Sequence, residues 1–145
     1  MNDEMRFLET IAPYREQLNA LSVESRNVLL CAEDRLKELG LGLKAVVQLE
    51  LDGGELTYEK IEGNWRLWHV KSYEDIVPAA DSKCLARTEC AAMIPVLLDD
   101  LKKNTEITIE RARKDIASVQ NVLEEVVNVA QEYKQYQSSN KKDEV

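Results

Sequence analysis

The sequence predicts an α+β fold: a three-stranded antiparallel β-meander flanked by an N-terminal helical pair and by C-terminal helices, the last one long and coiled-coil-like. Three observations predict it. Apolar residues recur every three or four positions before residue 40 and after residue 81, and they alternate with period two between residues 43 and 70. Gly-Gly and Gly-Asn dipeptides punctuate the alternating stretch. A chain of 145 residues suits one hydrophobic core. The expectation is one α+β domain over residues 1–137, helical in 1–40, sheet in 43–70 and helical again in 81–137, with a flexible tail over 138–145.

The first helical stretch carries Met5, Leu8, Ile11, Ala12 and Leu18, with Pro13 expected to kink or restart it near Ala12 because proline lacks an N–H. Ser22 then reads as the N-cap of a second helix bearing Val28, Leu29, Cys31, Ala32, Leu36 and Leu39, which Gly40 terminates.

Two-residue turns at Gly53-Gly54 and Gly63-Asn64 pair Leu51 with Leu56, Leu49 with Tyr58, Glu62 with Trp65 and Lys60 with Leu67. That register puts Ala45, Val47, Leu49, Leu51, Leu56, Tyr58, Trp65 and Leu67 on one face. Val46, Ile61, Trp68 and Val70 fall on the other, as a patch that is either covered by a helix or open to a partner protein.

Lys71 to Ala80 reads as a loop because of Pro78, and Asp81 or Ser82 as the cap of a helix with Leu85, Ala92, Ile94, Leu98 and Leu101. Pro95 either kinks that helix or divides it. Thr105 offers an N-cap for the last helix, where Ile109, Ala112, Ile116, Val119, Leu123, Val126, Ala130 and Tyr133 form a heptad seam. Ile107, Val122, Val127 and Val129 widen the stripe beyond a two-helix seam. The middle is therefore expected against the chain's own body, and the end from Ala130 to Tyr136 against a partner.

Charge restricts the partners. With 19 Lys and Arg against 27 Asp and Glu, the net charge of −8 opposes direct binding of nucleic acid. The RNA-binding sheets that stack bases on aromatics also carry basic residues, whereas this one carries Glu50, Asp52, Glu55, Glu59 and Glu62 around Trp65 and Trp68. No apolar run is long enough to span a membrane. Three cysteines and no apolar leader point to a reducing, cytoplasmic setting.

Motifs for catalysis are missing. There is no P-loop, Gly-x-Gly-x-x-Gly, Gly-x-Ser-x-Gly or His-Glu-x-x-His, and His69 is the single histidine. Cys84 and Cys90, six apart on a helix, do not share a face for zinc. The adjacent pairs Glu33-Asp34, Asp99-Asp100 and Glu124-Glu125 diverge by about 100° on a helix and read as solvated charges. No catalytic residue, metal or cofactor is expected.

The residues thus point to a non-catalytic interaction module that self-associates, most simply as a homodimer, through Ile109, Ile116, Val119, Leu123, Val126, Ala130 and Tyr133. Two other classes fit less of the sequence. One is a small acidic inhibitor of a nucleic-acid-binding enzyme, of the kind phages or mobile elements carry. The other is an enzyme with an inter-subunit site using His69, Tyr58 and Glu62.

Overall fold

The computed structural model describes residues 3–51 and 53–143. In chain order the elements are α1 (Asp3–Leu39), β1 (Ala45–Gln48), β2 (Glu55–Ile61), β3 (Asn64–Ser72), β4 (Asp75–Pro78), a 3-10 turn (Ala79–Asp81), α2 (Cys84–Ala92) and α3 (Ile94–Asp143). Contacts divide the chain into two compact units, Met1–Thr105 and Glu106–Val145.

In the first unit the four strands lie in sequence order and pair antiparallel throughout, one strand more than the sequence predicts. The extra strand is β4. Pro78, the reason for reading this stretch as a loop, is the last residue of an edge strand, where a missing N–H interrupts no ladder. Ile76 and Val77 pair with Val70 and His69.

Both predicted registers are corrected, each by an even number of residues. Val47 pairs with Leu56 and Ala45 with Tyr58, because the first loop is longer than two residues and closes with Leu49 N–H donating to Gly54 O at 2.9 Å. At the second hairpin Ile61 pairs with Asn64, so the turn residues are Glu62 and Gly63, both at positive φ (52° and 85°). Side chains alternate with period two, so even shifts leave each residue on its predicted face. Ala45, Val47, Leu49, Leu56, Tyr58 and Leu67 are buried there, and Trp65 is half-buried with its ring centroid 5.3 Å from that of Tyr58. Leu51 alone departs, standing 86% exposed at the loop tip.

Over that face pack Leu29 and Leu36 from α1, Cys90 from α2, and Ile94, Leu97 and Leu101 from the start of α3. Each fully buried leucine contributes about 1.5–3 kcal/mol relative to an exposed one. The edge strand β1 is finished by side chains: Asp100 Oδ2 accepts the Val46 amide at 2.9 Å, and Asn104 Nδ2 donates to Lys44 O at 2.9 Å.

The N-terminal helical pair is one helix. Pro13 lies inside α1, and the Glu9 carbonyl it leaves without a helical donor sits on an exposed stretch where water can satisfy it. Ser22 is not a cap. It and Ser25 are small residues buried inside α1, and Ser25 Oγ lies 3.5 Å from Thr88 Oγ1 of α2. The buried stripe of α1 is Ser22, Ser25, Leu29, Glu33 and Leu36, which leaves Cys31 exposed.

The segment around Pro95 divides at Met93 (φ −89°, ψ 0°), and Pro95 occupies the first turn of α3, where no N–H is required. α2 accordingly buries Ala86 and Cys90 instead of Leu85, which is 75% exposed. Thr105 does not start a helix. Its Oγ1 donates back to Leu101 O at 2.7 Å within α3.

From Glu106 onward the described residues of the second unit all belong to α3, and every residue from 106 to 140 is exposed. The expected tail over 138–145 falls partly outside the described residues, and α3 itself runs to Asp143.

Candidate interaction surface

The seam residues sit on a single continuous helix. Ile109, Ile116, Val119, Leu123, Val126 and Tyr133 are between 47% and 60% exposed, and Ala130 is exposed between Val126 and Tyr133. On a helix the residues three and four apart stack on one face, so these side chains form one apolar stripe. Val122, Val127 and Val129, which the sequence places against the chain's own body, are themselves 56%, 52% and 64% exposed and broaden it. Over Ala130 the stripe dips into a shallow groove of about 530 Å³ lined by Glu125, Val126, Val129 and Tyr133. One polar contact orders its end: Gln137 Nε2 donates to Tyr133 Oη at 3.0 Å.

A second exposed stripe belongs to the first unit and was not singled out by sequence reasoning. Phe7, Leu8, Ile11, Leu18 and Leu21 of α1 are between 40% and 65% exposed. Periodicity reports that one face of this stretch is apolar and not whether anything covers it.

The sheet patch Val46, Ile61, Trp68 and Val70 is half-buried. Trp68 Nε1 donates to Glu59 O at 3.0 Å, and the Arg66 guanidinium lies over its ring at 5.8 Å. Thr57, between Val46 and Trp68 in the register, is fully buried, so little of this face is open.

His69, Tyr58 and Glu62 do not converge. His69 is buried opposite Leu56, with Nε2 3.4 Å from Gly53 O, and lines a cavity of about 250 Å³ with Lys71, Asp75, Ser82 and Lys83. Tyr58 lies in the core, while Glu62 is in the β2–β3 turn, several residues along the strand from His69. Burial, and secondarily the nearby Glu33 carboxylate, raise the Tyr58 phenol above its usual value.

Two acidic pairs read as solvated charge divide their roles. Asp99 makes an exposed ion pair with Lys103 at 3.1 Å, but Asp100 holds β1 and Glu33 is buried. Glu33 Oε1 accepts from Arg66 Nε at 3.1 Å and from Lys37 Nζ at 3.4 Å. No sequence signal separates Glu33 from its neighbours except its place on the Leu29–Leu36 stripe. Among the described residues no group of three His, Cys, Asp or Glu is placed to hold a metal ion, and no helix is long and apolar enough to cross a membrane.

The chain thus combines a helix-covered four-stranded antiparallel sheet with a long helix whose apolar seam is exposed. Comparison with protein-family models, with curated proteins and with solved structures finds no match.

Proposed function

We propose that this protein is a non-catalytic interaction module that self-associates through the exposed seam of α3. The observation that carries the reading is the run of eight seam residues from Ile109 to Tyr133, none of them covered. Helices in water draw most of their stability from packing an amphipathic face, and an apolar stripe left in solvent forgoes about 25 cal/mol per Å². A second copy supplies a matching seam by symmetry, with one patch contacting itself. The surface charge is consistent with a protein partner and not with direct binding of nucleic acid, since the chain carries net −8.

Sedimentation equilibrium at micromolar concentration tests this reading. The wild-type chain is expected to run as an oligomer and a Leu123→Glu, Val126→Glu variant as a monomer with an intact sheet unit. A monomeric wild-type chain overturns the proposal.

A further inference from the structure

We infer that two copies pair along α3 in antiparallel orientation, with the two-fold axis beside Asn121. The inference rests on the self-association reading above and goes on to fix its orientation and register.

Charge is the first ground. Near the start of the seam Arg111, Arg113 and Lys114 outnumber Glu110, which pairs with Lys114 at 3.3 Å, and Asp115, so residues 109–120 are net positive, whereas residues 121–133 carry Glu124, Glu125 and Glu132 and no cation. A parallel pair lays basic cluster on basic cluster and acidic on acidic. An antiparallel pair centred at Asn121 sets Arg111 to Lys114 level with residues 128–131 of the second copy, between its Glu125 and Glu132. Opposite charges across a helix pair select orientation, while like charges oppose it. Arg113 flanks the seam on the same side as Val127 of the second copy, about 3 Å from level with it along the axis, so its aliphatic stem reaches that valine while the guanidinium extends toward Glu124 one turn further.

Side-chain size gives an independent ground. In antiparallel pairing the first core position of each heptad (Ile109, Ile116, Leu123, Ala130) faces the second (Ala112, Val119, Val126, Tyr133). Centred at Asn121, the layers are Ile109 with Tyr133, Ala112 with Ala130, Ile116 with Val126 and Val119 with Leu123. The two alanines meet, so the notch over Ala130 faces a small residue and the two backbones can approach most closely there. Sliding by one heptad leaves Ala130 and Tyr133 opposite Thr105 and Lys102, so this register alone gives all eight residues an apolar partner. Parallel two-stranded coils favour leucine at the second core position, and this seam has Ala, Val, Val and Tyr there. Val122, which widens the stripe, comes beside its own symmetry mate at the axis.

Intermolecular spin-label distances test the orientation. Single cysteines are introduced as Lys114→Cys, Asn121→Cys and Gln135→Cys, each on the helix face opposite the seam, in a chain carrying Cys31→Ser and Cys84→Ser; Cys90 is buried in the core and stays. From a rise of 1.5 Å per residue the two labels are offset along the axis by about 0 Å at 121, about 21 Å at 114 and about 42 Å at 135. The expected profile therefore has its minimum at Asn121 and its longest distance at Gln135. Equal distances at all three sites overturn the antiparallel orientation and leave self-association standing, and a minimum at another site overturns the register. A chain that sediments as a monomer, or an oligomer with no intermolecular distance from any of the three labels, overturns both.

Discussion

Glu33 Oε2 accepts the backbone amide of Leu67 at 3.0 Å, joining the inner face of α1 to the middle of the sheet. The carboxylate also accepts from Arg66 and Lys37, so one buried side chain satisfies a strand amide and two cations. A carboxylate this deep is tolerated because three donors converge on it.

Glu33→Ala is therefore expected to lower unfolding free energy by about 2–3 kcal/mol, since it orphans a buried amide and the Arg66 guanidinium. Glu33→Gln keeps one acceptor and should lose less. Urea denaturation of the two variants checks the order; a loss below about 0.5 kcal/mol for the alanine variant would show that the contact is dispensable.

Gly54 makes the second prediction. It sits at φ +79°, and a Cβ there would come 2.3 Å from Val70 O, a backbone atom that cannot swing away. Gly53, at φ +74°, has no atom within 4 Å of such a Cβ. Gly53→Ala should cost about 1–2 kcal/mol from left-handed strain alone, and Gly54→Ala more, because the hairpin must also shift. Thermal or urea midpoints rank the two, and equal losses would rule out the close approach as the cause.

Tyr58 sets an alkaline limit. Its phenol is raised above 10.0 by burial and, next, by Glu33, so above that pH the unfolded chain ionises while the folded chain keeps its proton. The folded state then binds more protons, and stability falls as pH rises. The contribution is fully present below pH 10 and is lost as pH climbs through the raised value. Tyr58→Phe should flatten the decline above pH 10 in a stability-versus-pH series, and an unchanged slope would remove Tyr58 as its source.

Period-two alternation is why the sheet could be read despite two wrong registers. The predicted pairings missed by four residues at the first hairpin and by two at the second. Neither miss moved Val47, Leu56, Tyr58 or Leu67 off the core face, because faces depend only on parity. Turn identity is a finer matter. Gly53-Gly54 and Gly63-Asn64 both signal hairpins, but the second turn uses Glu62 at φ 52°, an energetically uncommon choice that dipeptide preference does not reveal.

Proline position shows the limit of local rules. Pro13 and Pro95 carry the same warning in sequence, yet one lies inside α1 and the other in the first turn of α3. What separates them is where the flanking residues pack, since Ile94 and Leu97 are buried and residues 3–21 are exposed. Likewise β4 forms because β3 offers an edge to Ile76 and Val77 across the turn at Tyr73 and Glu74, a local hairpin that reading Pro78 as a loop signal conceals.

By itself the sequence determined which stretches are helical, where the first three strands lie, the core face of the sheet and the heptad seam from Ile109 to Tyr133, because each is written in the spacing of apolar residues along one segment. Only the tertiary structure decided that Glu33 is buried while Cys31 is not, that a fourth strand closes the sheet, and that the seam residues are exposed. These depend on which surfaces meet, and periodicity records that a face is apolar without recording what, if anything, comes to cover it.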